Sequence, residues 1–140
     1  MTTRPTGLTK DAGWQVGVSR TLPIEVAAAW DYLLSPAGLA HWLGDGVPTP
    51  LEKGITYKTT DGTTGQIRSL HPRDRLRLTW RPPGRRQDAI VQLVLQSTAT
   101  GCSVRFHSDR LTSQREREAM RAHWRNVLDR LTIAISSDNT

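Results

Sequence analysis

Few side chains in this sequence are suited to chemistry. Histidines stand at 41, 71, 107 and 123, one cysteine at 102, and carboxylates are scattered between them. No two of the histidines share a spacing that holds a metal. The lone Cys102 rules out an internal disulfide and a cysteine-rich zinc site. The chain has no G-x-S-x-G, no phosphate-binding glycine loop, no H-E-x-x-H and no G-x-G-x-x-G. Asp45, Glu52 and Asp61 fall in loops or turns and read as solvated. His107 alternates outward with Arg105, and Cys102 opens an inward-facing strand as a small core residue. Tyr57, Ser69, His71 and His123 remain as polar groups able to anchor a ligand. No catalytic residue is assigned, and no metal or cofactor is expected.

The elements that position these groups follow from hydrophobic period. Trp14, Val16 and Val18 alternate with polar residues, the period of a strand. Pro23 suits a first helical turn, and Ile24, Val26, Ala27, Trp30, Leu33 and Leu34 follow at helical spacing. Ser35-Pro36 ends that helix and caps a second, short one carrying Leu39, Trp42 and Leu43. Residues 44–54 form a Gly- and Pro-rich loop. Short strands follow: one through Ile55, Tyr57 and Thr59 before the turn Asp61-Gly62, then 64–70, 75–81, 88–96 and 102–108. Ser113 with Glu116 makes a capping box. Met120, Trp124, Val127, Leu128, Leu131 and Ala134 then form a stripe along a long helix, with Arg117, Glu118, Arg121, Arg125 and Asp129 on its other face.

This order, strand, two helices, antiparallel strands and long helix, predicts an α+β fold. A curved sheet of about six strands would wrap the C-terminal helix. The predicted boundaries are a flexible tail at 1–12, one domain over 13–136 and a short tail at 137–140.

Residues 23–44 (PIEVAAAWDYLLSPAGLAHWLG), 62–80 (GTTGQIRSLHPRDRLRLTW) and 111–131 (LTSQREREAMRAHWRNVLDRL) carry a resemblance. The chain resembles the SRPBCC superfamily, also called START-like, with its helix-grip fold. It looks most like bacterial relatives of the C-terminal domain of the heat-shock chaperone ATPase activator. The resemblance implies a cavity between helix and sheet. In such families that cavity serves lipid carriers, receptors and polyketide aromatase/cyclases, so fold alone does not name a function. Binding of a small hydrophobic molecule is the leading expectation. A cyclase-, aromatase- or hydrolase-like enzyme using the same cavity, and a stress-response or chaperone-associated adaptor, are the alternatives.

If the sheet grips the helix, Leu78 and Trp80 point inward with Ile67, Val91, Leu93 and Phe106. Together with Trp42, Tyr57, Ser69, His71, Met120, His123 and Trp124 they are the candidate ligand-binding residues. Arg75, Arg77 and Arg81 then lie on the convex back, with Arg68 beside them. The net charge of +6 favours acidic partners without naming one. The aromatics lie on the opposite side from these arginines, whereas single-strand binders interleave the two, so no nucleic acid is expected. No apolar run reaches the roughly 18 residues of a membrane helix. The segment MTTRPTGLTKDAG lacks the apolar stretch of a secretory signal, so the expectation is a cytoplasmic monomer or homodimer without membrane attachment.

Overall fold

The computed structural model describes Leu8–Thr9 and Gly13–Asp138. Of the segments expected as tails, 1–7, 10–12 and 139–140 lie outside the described residues. The strands are β1 (Leu8–Thr9), β2 (Gly13–Leu22), β3 (Thr56–Lys58), β4 (Thr64–His71), β5 (Arg75–Trp80), β6 (Ala89–Thr98) and β7 (Gly101–Leu111). The helices are α1 (Val26–Leu34), α2 (Pro36–Trp42) and α3 (Gln114–Asp138). All seven strands form one antiparallel sheet in the order β1-β2-β7-β6-β5-β4-β3. This is the helix-grip α+β fold, with α3 lying along β2 and β7.

Alternation decides the faces. Leu76, Leu93 and Phe106 share one register row, and Leu78, Val91 and Ser108 the next; all six are buried under α3. Arg75 and Arg77 point the other way and are exposed. From α3, Met120, Trp124, Val127, Leu128, Leu131 and Ile135 close the core. The last place in the stripe belongs to Ile135, four residues after Leu131, rather than to Ala134, which is half-buried. Each such side chain contributes on the order of 1.5–3 kcal/mol by leaving water.

The caps read from sequence are made. Ser35 Oγ accepts from Gly38 N at 3.2 Å, with Pro36 at the first position of α2. Ser113 Oγ accepts from Glu116 N at 3.1 Å, whereas the returning Glu116 carboxylate accepts from Thr112 N, one residue before the cap, so the expected box is made in its Ser113 half. The first helix starts later than Pro23 suggested, at Val26, after an extended Glu25 whose side chain makes no capping bond. A Cβ on Gly38 would stand 1.9 Å from the Tyr32 carbonyl, so only glycine lets α2 leave α1 this closely.

Candidate functional site

The space under α3 is occupied at its centre. The Trp124 ring stacks on Phe106 with centroids 4.5 Å apart. Trp42, from α2, is tilted against Phe106 with centroids 5.6 Å apart. The indole N–H groups are used inside: Trp124 Nε1 donates to Ser108 Oγ at 2.8 Å, and Trp42 Nε1 to the Leu33 carbonyl at 2.9 Å. Ile67, Leu78, Val91 and Leu93 complete this block and are buried. Seven of the expected ligand contacts are therefore packed against one another in the core.

Two others face away from it. Strict alternation from Ile67 would carry Ser69 and His71 inward. The β4 register slips between Ile67, opposite Leu78, and Ser69, opposite Arg77. A bulge at Arg68 inserts one residue, so Leu70 turns inward opposite Leu76, while His71 joins exposed Arg75 on the outer side. Ser69 lines a shallow convex-face groove with Arg68, Arg77 and Arg110. Tyr57 is buried, and its hydroxyl donates to the Thr79 carbonyl at 2.6 Å. Burial, reinforced by the charge of Asp88, pushes its phenol above the usual range. A Cβ on Gly65 would stand 2.0 Å from that carbonyl, so the tyrosine crosses a bare backbone. His107 is half-buried, with Nε2 3.0 Å from Gln15 Oε1 and Nδ1 3.3 Å from Asp109.

The remaining three converge at one end of the grip. Trp80, the last residue of β5, is half-buried, with its ring 6.5 Å from that of His123 on α3. His123 also meets Trp124 edge-on at 4.7 Å. Burial, helped by the charge of Arg130, holds the His123 imidazole below its ordinary value and so favours the neutral ring. Trp80 and Met120 are two walls of a cleft of about 650 Å³. Its other walls are the turn Pro82–Gln87, Thr112 just before α3, and Glu116 and Ala119 in the first turns of α3.

That turn is fixed by a guanidinium. Arg85 reaches from the β5–β6 turn to Glu116, with Nε 3.2 Å from Oε2 and Nη2 2.9 Å from Oε1. The same Nη2 donates to the Arg110 carbonyl at 2.8 Å, and Nη1 to the Gln87 carbonyl. With its side chain only 8% exposed, Arg85 acts as a structural clamp across the cleft mouth. Glu116 also accepts from Thr112 N at 2.9 Å. The Arg85 bonds come first among the causes that hold its carboxyl below the usual range. Sequence reading identified 82–86 only as a turn and Glu116 only as a capping residue. The available signal was a Pro-Pro-Gly turn followed by arginine, with Glu116 in the first turn of the next helix.

Among the described residues no helix is long and apolar enough to cross a membrane, and no group of three His, Cys, Asp or Glu side chains is placed to hold a metal. No curated protein matches the sequence. Solved structures do. DynU16, from the dynemicin biosynthetic locus, superposes with a TM-score of 0.78 at 22% identity over 89% of this chain. The chain spans about half of DynU16, 48% of its length. CalU16 from Micromonospora echinospora gives 0.76 at 22% identity, covering 93% of this chain and 82% of that one. MLL2253 from Mesorhizobium loti gives 0.76 at 19%, covering 88% and 97%. At these identities the likeness establishes the fold. Residues 23–136 match the family described as Activator of Hsp90 ATPase homolog 1-like protein, and the chain is a member of that family within the SRPBCC superfamily.

Proposed function

We propose that the protein binds a small, flat, largely apolar molecule in the cleft between the Pro82–Gln87 turn and the first turns of α3. The observation that carries this reading is the pairing of walls. Half-buried Trp80 and Pro82, exposed Pro83 and Ala119 and the edge of buried Met120 offer apolar surface, while the Arg85–Glu116 clamp keeps the mouth in one shape. Pockets of this kind are mostly apolar, with a few fixed polar groups for orientation. A volume of about 650 Å³ lies within the range of small-molecule sites. The ligand lies at the open end of the grip rather than at its centre, where Phe106, Trp42 and Trp124 pack.

Binding is favoured over proton-transfer chemistry. Both Glu116 oxygens are engaged by Arg85, and one of them also by Thr112, so this carboxylate is not free to act as a base.

An uncharged fluorescent probe, N-phenylnaphthylamine, tests the reading. It should bind saturably at a stoichiometry of about one, with energy transfer from tryptophan that falls in Trp80→Phe. Ala119 is exposed on the helix wall of the cleft, so Ala119→Trp should fill the space and abolish binding without loss of folding. A linear, unsaturable response, or an Ala119→Trp variant that binds like the wild type, would overturn it.

A further inference from the structure

Along the opposite margin of α3, arginines stand at every fourth position: Arg117, Arg121 and Arg125. Residues four apart share one helix edge, and this edge lies beside β2. The three are not equivalent. Arg117 is buried, contrary to its expected place on the wet face, because its Nε donates to the Gln15 carbonyl at 2.8 Å. Its Nη1 pairs with Glu118 at 3.1 Å. Arg121 has no such partner: its Nε is shielded from solvent and makes no hydrogen bond. Arg125 has no carboxylate partner among the described residues. Both line a groove of about 410 Å³ with Asp129 and with Gly17, Val18, Ser19 and Arg20 of β2. Arg20 bridges the groove to Asp129 at 2.5 Å and touches Thr132 Oγ1 at 3.4 Å.

Two independent features thus coincide. The first is an excess of charge: three guanidiniums against one carboxylate leave two positive charges unmatched. The second is a buried donor without an acceptor, which carries the full desolvation cost until something accepts from it. Guanidinium forks match pairs of oxygens on one tetrahedral anion, and several forks can share a phosphate, whereas a carboxylate has only two oxygens to offer.

We propose that the groove between β2 and α3 is a binding site for a soluble phosphate monoester, held by Arg121, Arg125 and Arg20. Asp129 competes with the ligand for Arg20. The site shares no residue with the Trp80 cleft and stands or falls separately from it.

The probe is phenyl phosphate, followed by the arginine Nε–H resonances in a proton–nitrogen NMR titration. The Arg121 resonance should move saturably, while those of exposed Arg75 and Arg77 stay still. Arg121→Gln with Arg125→Gln should weaken binding about tenfold or more. Asp129→Asn should tighten it several-fold. Asp31→Asn, which changes the net charge equally on the exposed surface of α1, should not. Thermal melts by circular dichroism establish that each variant is folded. If the double variant does not fold, Asp129→Asn against Asp31→Asn decides alone. A response that is linear in phosphate, equal at Arg75 and Arg77, or identical for Asp129→Asn and Asp31→Asn would overturn the proposal. So would retention on phosphatidate vesicles without a saturable response to phenyl phosphate.

Discussion

The ring of Trp124 lies flat on that of Phe106, 2° from parallel, and its indole N–H reaches Ser108 on the same strand as Phe106. One side chain thus joins α3 to β7 by both stacking and a buried hydrogen bond. It sits where a family cavity was expected. The helix-grip fold is kept, and its centre is a conventional packed core.

Trp124→Ala should therefore cost about 3–5 kcal/mol, the range for deleting a buried aromatic, and should also leave Ser108 without its donor. Urea unfolding measures it. A variant close to wild type in midpoint and slope would remove Trp124 from the core.

Ile67→Trp separates a filled centre from an open one. Ile67 is buried on β4 opposite Leu78, so the larger ring has no void to enter. A loss of about 1–3 kcal/mol or more is expected from overpacking. Unchanged stability would place an open cavity under α3 and move the ligand site inward from Trp80.

The element order, the cap residues and the inward placement of Leu78 were legible because each rests on local chemistry or on strict alternation. The bulge in β4 was the point of failure. A clue was present: Ile67 and Leu70 are both apolar but three residues apart, an odd interval that simple alternation cannot place on one face. An extra residue resolves it and sends Ser69 and His71 outward. Trp80, Met120 and His123 could be named from the sequence, since each follows from its own element. The Arg85 clamp could not, because it joins a turn to a helix 31 residues away and no periodicity links them. Arg117 failed for the same reason: its carbonyl partner at Gln15 is 102 residues distant.

Arg75→Ala with Arg77→Ala tests the convex face. Both residues are exposed, and neither has an ion pair among the described residues. Each change should stay within about 0.5 kcal/mol of wild type, as surface substitutions usually do. N-phenylnaphthylamine affinity should be unchanged. A marked destabilisation in thermal melts would mean that this arginine row supports the sheet.

The clamp across the cleft makes an acid-sensitive prediction. The folded-state carboxyl of Glu116 lies below its ordinary value of 4.5, chiefly through Arg85. A carboxylate of this kind contributes its stability in full above the unfolded value, and loses it as the pH falls through the lower folded value. Protonation would also leave the buried Arg85 guanidinium facing a neutral group, while its bonds to the Arg110 and Gln87 carbonyls remain. Chemical denaturation of the wild type and Glu116→Gln at stepped pH should show a gap at neutral pH that closes below about pH 4.5. Because Glu116 is partly exposed, solvent screening keeps that gap modest, about 1–2 kcal/mol. The cleft should respond more than the fold, since Pro82 and Pro83 hang on the clamped turn. Probe affinity should fall in Glu116→Gln at pH 7 while the core transition stays cooperative. A gap that persists unchanged into acid would show that the ion pair does not hold the turn, and a probe affinity that ignores Glu116→Gln would detach the clamp from the binding site.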